Sequence, residues 1–473
     1  MQHKIFSRLF DNYSLQPAQD PHAVRVKLLI VIGIWSAVIL GGAWSIYHLC
    51  HHKWLLMACN LSELTVGLFA LKLVRAGQDR PAAIWMAHGL LVMISLTCLL
   101  DMPVAGAVRS VHMYFLPLAA GTTLVFRNDK PYLRVALPFI MLAGCLIFAS
   151  THVGVSKPDL LADYEFRAMT AWINNFAALS ILGIALIVMQ TDITIRNSLY
   201  IDMREALAKG HFCLHYQPQV DSHGHIFGAE ALLRWEHPQK GMIPPGSFIS
   251  LAEETGLILP IGSWVLKEAC AHLAKWSKDA ELAHLTISVN VSASQLRQPD
   301  FVQEVTEIIT RSGANPSRLK LELTESMFAK DVEATIKKMN ELCAIGISWS
   351  LDDFGTGYSS LNYLKHLPFT QLKIDQSFVR DLLVNESDKA IVETLVVLSK
   401  NLNMMLIAEG VETTEQLQYL INKGCLKFQG YFFSKPLPID TFEMYHSTFH
   451  ASVGNKRLRE LIDKPSASTT LQI

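Results

Sequence analysis

Hydrophobic patterning changes character near Gln190. Before that point, long apolar runs alternate with short polar loops. The first run, Leu28–Leu49, carries no charged residue and reaches the roughly 20 residues that a bilayer-spanning helix needs. Further runs fall at Trp54–Leu71, Ala82–Leu100, His112–Phe126, Val135–Ser150 and Ala168–Met189. The pattern predicts an all-α membrane domain over residues 1–190 with about six spans. The fourth run is short and contains Pro117. The first is too long and too far from the N-terminus for a cleaved signal, so it is expected to remain as an anchor.

After Gln190 the pattern becomes that of a water-soluble chain. Residues 191–200 read as a charged connector helix. Residues 201–445 repeat a strand-then-helix order. The strand-like runs include "LTISVNVS", "LKLELTES", "ISWSLDDFG", "QLKIDQSF", "MMLIAEGVE" and "FQGYFFS". Helical stretches such as Asp331–Ala344, Asp388–Leu402 and Thr414–Asn422 separate most of them. Apolar strands alternating with helices imply parallel βα units with both sheet faces covered. This much repetition favours a closed (β/α)8 barrel over a doubly wound open sheet. Residues 446–473 read as a polar tail.

Composition agrees with the division. Half of the residues are hydrophobic and 18% are charged, below the roughly 25% of a soluble chain; mean hydropathy is +0.25. Basic residues gather in alternate loops: Arg25 and Lys27; then Lys72, Arg75 and Arg80; then Arg127, Lys130 and Arg134. Positive loops stay in the cytoplasm, which would place both termini and the C-terminal half there. A net charge of −1 gives no reason to expect a nucleic-acid partner. None of the eight cysteines forms a C-x-x-C pair, so zinc-ribbon and thioredoxin-type sites are not indicated.

Candidate chemistry gathers where the strand-like runs end. The series is Glu230, Asn290, Glu322, Asp352 with Asp353, Lys373, Glu409 and Gln429. In a barrel these ends open on one face. One buried carboxylate is ordinarily a structural ion pair, but this many at one topological position call for cations. Arginines are too few there, which points to divalent metal. Oxygen ligands without His or Cys favour Mg²⁺ or Mn²⁺. A metal ion lying against each of the adjacent Asp352 and Asp353, or bridging between them, would make the pair tolerable, and two such ions suit displacement at phosphorus. Gly355 and Gly357 let the following loop turn tightly.

These residues lie in motifs that identify a family. "EALLRW" (Glu230–Trp235) resembles the signature of EAL-domain cyclic-di-GMP phosphodiesterases. "YQPQVD", "FISLAEETGLI", "SVNVSASQL", "LELTES", "LDDFGTGYSSLNYLKHLPFTQLKIDQSFV", "AEGVET" and "QGYFFSKPL" resemble its other motifs, in the family's order. The resemblance implies a modified TIM barrel with one antiparallel strand, hydrolysing cyclic di-GMP to linear pGpG. It implies that Glu230, Asn290, Glu322 and Asp352 hold one metal, that Glu409 joins the cluster, and that Asp352 and Asp353 hold the second. Lys373 would orient the attacking water, Gln429 would help position it, and Glu325 would hold the "DDFGTG" loop. Arg234 would meet a substrate phosphate and Gln217 a guanine edge. EAL domains commonly dimerise near that loop, which implies a homodimer.

The alternative is a silent cyclic-di-GMP receptor signalling through the membrane domain; the complete residue set argues for catalysis. No "GGDEF"-like run precedes the domain, so degradation without synthesis is expected. Glu63 and Asp101 lie in or beside predicted spans, which raises transport, but no internal repeat supports it. The membrane half is expected to sense a signal. "HLCHHK", with His48, Cys50, His51 and His52, is a candidate metal or redox site there, though such histidines more often sit at a membrane interface.

Overall fold

The structure is a computed structural model that describes residues 21–101, 103, 109–155, 164–325, 332–355 and 366–449. It divides into two compact units, 1–199 and 200–473. The expected polar tail lies outside the described residues except at its start, where the helix Ile439–Phe449 continues and buries His446 and Phe449.

The first unit is helical: α1 (Pro21–Cys50), α2 (Trp54–Arg75), α3 (Asp79–Leu100), α4 (Phe115–Val125), α5 (Leu137–Ser150) and α6 (Tyr164–Lys209). Small residues bring the first helices together. A Cβ at Gly41 would lie 2.9 Å from both Asn60 O and Leu64 N. Ile34, Ala70, Met86, Phe115 and Leu137 fill the core. The outer faces are also apolar, with Trp172, Phe176 and Leu146 at least two-thirds exposed. Among the described residues, five helical stretches are long and apolar enough to cross a membrane, α5 counting together with the π-helical turn Tyr132–Ala136 that leads into it. The predicted fourth span is a 3₁₀ turn (Val111–Tyr114) running into α4, too short to count with them. The expected connector is not a separate element, because α6 runs unbroken from the last apolar run to Lys209. Asp192 on α6 is fully buried and held by Arg25 at 2.8 Å and Arg127 at 2.9 Å.

The second unit carries β1 (Phe212–Asp221), β2 (Ile226–His237), β3 (Gly241–Ile243), β4 (Thr286–Asn290), β5 (Leu319–Thr324), β6 (Ser348–Phe354), β7 (Phe369–Ile374), β8 (Met405–Ala408), β9 (Lys427–Phe428) and β10 (Leu437–Pro438). The ring β1-β2-β4-β5-β6-β7-β8-β9 closes on itself, with β3 and β10 added outside it. This is the expected modified TIM barrel. Strand β1 runs antiparallel to both β2 and β9, and the remaining ring neighbours are parallel.

The strands are not the continuous apolar runs expected. They alternate. Ile287, Val289, Leu321, Leu323, Trp349, Leu351 and Leu372 are buried, and so are the polar residues interleaved with them: Ser288, Lys320, Glu322, Ser350, Asp352, Gln371 and Lys373. Successive side chains on a strand point to opposite faces, so the apolar set packs outward beneath the helices and the polar set fills the barrel. Lys320 Nζ, for example, donates to Gln371 Oε1 inside it.

Candidate active site

Lys373 stands at the centre of the polar interior, fully buried. Its Nζ lies 2.5 Å from Glu322 Oε2, 2.5 Å from Glu409 Oε1, 3.2 Å from Asp352 Oδ1 and 3.3 Å from Glu230 Oε2. Four carboxylates from β2, β5, β6 and the end of β8 thus converge on one ammonium of β7. Arginines are too few at these strand ends, as expected, but Lys373 balances part of the charge. Burial disfavours its charged form, but Asp352, Glu230, Glu322 and Glu409 outweigh that and hold its pKa well above the ordinary value.

Most expected ligands lie where β-strands end, but Glu230 does not. It is the fifth residue of β2, because that strand continues into a hairpin in which Trp235 pairs with Ile243. Asn290 ends β4 and donates from Nδ2 to Glu230 Oε1 at 2.6 Å. Gln429, just after β9, donates to Glu230 Oε2 at 2.6 Å. Burial pushes the Glu230 pKa up, but Lys373, Gln429 and Asn290 more than offset it, and Glu230 stays below its ordinary value. Glu322 is pushed up to about 7 by burial, against the pull of Lys373.

Asp352 and Asp353 separate their side chains by a backbone twist. Asp353 has φ +53°, in the left-handed region, and its N–H donates to Asp352 Oδ1 at 3.0 Å. Burial, then Asp352 and Asp375, push the Asp353 carboxyl up to about 7. Asp375 was not foreseen; it lies two residues after Lys373 in "KIDQSF". Glu325 Oε2 accepts from Gly355 N at 3.2 Å, so it grips the start of the loop after the aspartates. Gly357 and the expected dimer contact near that loop lie outside the described residues.

Gln217 pairs in register with Glu230. Its Oε1 accepts from Gln429 at 3.1 Å and its Nε2 donates to Ser434 O at 3.2 Å. Gln219, fully buried and also missed by the sequence reading, donates to Gln429 Oε1 at 3.0 Å. The spacing in "YQPQVD" puts both glutamines on one strand face. Arg234, four residues beyond Glu230 on β2, is half-buried and donates to Leu233 O at 2.8 Å.

Two triads have oxygens within 4.8 Å of one another: Glu230, Glu322 and Asp352; and Asp352, Asp353 and Glu409. Asp352 belongs to both. Glu322 Oε1 is buried with no hydrogen-bond partner. Five carboxylates against one ammonium, an orphaned buried oxygen and an all-oxygen donor set fit hard divalent cations. Among the described residues no such group forms at His48, Cys50, His51 and His52. There His51 stacks on Tyr47 with ring centroids 4.1 Å apart, as an interfacial histidine would.

Comparison with known proteins gives a consistent result. Residues 202–436 match the family described as the EAL domain. The bifunctional diguanylate cyclase/cyclic di-GMP phosphodiesterase MucR of Pseudomonas aeruginosa is 46% identical over 240 residues, which are 50% of this chain and 35% of that protein. The cyclic di-GMP phosphodiesterase PdeR of Escherichia coli is 36% identical over 248 residues, 52% of this chain and 37% of that protein. The chain therefore spans little more than a third of these curated relatives. The structure of the MucR phosphodiesterase in complex with c-di-GMP superposes with a TM-score of 0.51 at 45% identity, covering 52% of this chain and 99% of that one.

Proposed function

The chain belongs to the EAL-domain family, and on that premise we propose that it is a membrane-bound phosphodiesterase that hydrolyses cyclic di-GMP to linear pGpG. The observation that carries the reading is the convergence of Glu230, Glu322, Asp352 and Glu409 on Lys373 beside Asp353. A receptor needs to hold its ligand, but it has no need of five acids gathered around a buried ammonium at a barrel mouth.

Glu230, Asn290, Glu322 and Asp352 would hold one Mg²⁺ or Mn²⁺, and Asp352, Asp353 and Glu409 a second. Such ions, when bound, neutralise the acids, polarise the phosphodiester and lower the pKa of water. The chain's own groups do the rest. Lys373, fixed between carboxylates on four sides, presents a positive charge to the attacking water and the phosphate. Gln429, held by Gln219, fixes the orientation of Glu230. Glu325 keeps the backbone after Asp353 in place through Gly355. Arg234 offers a guanidinium fork suited to a phosphate. Water adds to phosphorus, the bond to the 3′-oxygen breaks, and that oxygen takes up a proton, leaving the 5′-phosphate of pGpG. Gln217 reaches a guanine edge once Gln429 or Ser434 releases its amide.

The helices of the first unit support membrane anchorage, because their outward faces carry large apolar side chains that water would not favour. The alternation of basic loops supports an inner-membrane protein with the barrel in the cytoplasm, and the family supports a homodimer and a sensory role for the membrane unit. The test is to incubate the full-length protein with cyclic di-GMP and Mg²⁺ and to separate the products by chromatography. Accumulation of pGpG supports the proposal. Saturable binding with no product would make the protein a receptor.

A further inference from the structure

Two adjoining cavities lie within the helices of the first unit and share Leu40, Glu63, Ile94 and Tyr114 in their walls. One is otherwise almost wholly aliphatic, with Ile30, Met86, Leu90 and Ile181. The other is polar, with Trp44, His48, Asn60, Thr97 and Asn174.

Most polar groups of the second chamber are already paired. Asn60 Nδ2 already donates to Leu56 O at 2.8 Å, Thr97 to Met93 O at 2.9 Å, Tyr114 to Asn174 Oδ1 at 3.2 Å and Asn174 Nδ2 to Ser110 Oγ at 3.0 Å. Asp101 is neutralised by Arg167 at 2.8 Å. Glu63 makes no hydrogen bond or ion pair with any described residue, although it stands between the two chambers. His48 is 9% exposed, and its Nδ1 is buried without a partner. An unpaired carboxylate in the same chamber as the unpartnered His48 Nδ1 calls for a cation bearing N–H donors. Trp44 adds an aromatic face on which such a cation is stabilised.

We propose that this unit binds an amphipathic primary ammonium, its head on Glu63 in the polar chamber and its hydrocarbon tail in the aliphatic one. Two sources share that chemistry: a free alkylamine and a membrane lipid with a primary-amine headgroup. Helix α6 lines both chambers, through Thr170 and Asn174 in one and Ile181 and Ala185 in the other, so the ligand touches the helix that continues to Lys209. The proposal rests on the membrane reading for its medium only, and its readout is independent of phosphodiesterase activity.

The test is calorimetric titration of the full-length protein in phosphatidylcholine nanodiscs. The ligands are octylammonium, butylammonium, octyltrimethylammonium and octanol. Octylammonium is expected to bind saturably and at least tenfold more tightly than the other three. Glu63→Gln, checked for folding by circular dichroism, should weaken it at least tenfold and leave octanol unchanged. Gly121 lines the aliphatic chamber, and a Cβ there meets nothing within 4 Å. Gly121→Leu should therefore remove the advantage of octyl over butyl while the Glu63 dependence persists. Adding phosphatidylethanolamine to the discs identifies a lipid source if it competes, and a free amine if it does not. Equal binding of octanol and octylammonium, or unchanged affinity in folded Glu63→Gln, overturns the proposal.

Discussion

Replacing Lys373 with methionine removes the ammonium on which four acids converge while keeping most of the side-chain volume. Four carboxylates lie within 3.3 Å of the lost ammonium. Removing one partner of a buried ion pair costs about 3–5 kcal/mol. The cost does not multiply by four, because burial already drives Glu322, Asp352 and Glu409 toward their protonated forms. Glu230 is the exception, held below its ordinary pKa largely by Lys373, so its loss of a counter-charge carries most of the penalty. Urea denaturation of residues 200–473 with EDTA should therefore show Lys373→Met less stable by about 3–5 kcal/mol. The sign with pH follows. Acids whose folded pKa is raised give stability that is lost as pH rises, so the penalty should be larger at pH 8 than at pH 6. Mg²⁺ at about 100 times its dissociation constant should restore about 2.7 kcal/mol. Turnover of cyclic di-GMP should be lost in both conditions. A penalty under about 1 kcal/mol without metal would refute the view that Lys373 holds the acid cluster together.

Glu325→Gln keeps the shape of the side chain but removes the charge that accepts from Gly355; a charge-assisted hydrogen bond contributes about 1.5–3 kcal/mol, so kcat should fall roughly ten- to hundred-fold with less change in KM. Unchanged kcat in steady-state kinetics would show that Glu325 does not support the loop. Gln219→Leu removes the donor that orients Gln429, and should lower kcat while Gln219→Glu, which cannot donate, fails to rescue it. Glu322 and Asp353 are pushed up to about 7, so cation uptake must displace protons from them. Mn²⁺ affinity, followed by calorimetry in two buffers of different ionisation enthalpy, should weaken as pH falls from 8 to 6, with proton release; no release would contradict the assignment of these ligands.

The barrel and the residues gathered at its candidate site were legible because strand-and-helix alternation and short motifs are local properties. Asn290, Glu322, Asp352 and Lys373 gather as their positions in the repeat implied, and Glu230 joins them from mid-strand. What stayed hidden depends on closure. The antiparallel β1 was implied by the resemblance alone, because periodicity does not distinguish a hairpin to β2 from a parallel neighbour. Glu230 sits mid-strand because β2 runs on past it, paired with β1 as far as Phe212 opposite Trp235 and with β3 outside the ring. The role of Lys373 as counter-ion was missed because the contacts it makes cross the barrel, linking residues up to 143 positions apart. "LKLELT" did carry the sign of a polar interior, since Lys320 and Glu322 alternate with leucines, but buried polar alternation looks like a half-exposed strand until the ring is closed. In the first unit, apolar length located the helices, while the continuity of α6 through residues 191–200 required a structure because charged helix-favouring sequence is equally a spacer.

The most direct measurement is the rate of pGpG formation from cyclic di-GMP by the full-length protein across a Mg²⁺ and Mn²⁺ titration, with EDTA and Glu230→Ala as controls. The account predicts product that rises with divalent concentration, stops with EDTA and is absent in Glu230→Ala. Product that forms equally in EDTA, or that persists at the wild-type rate in Glu230→Ala, would contradict it.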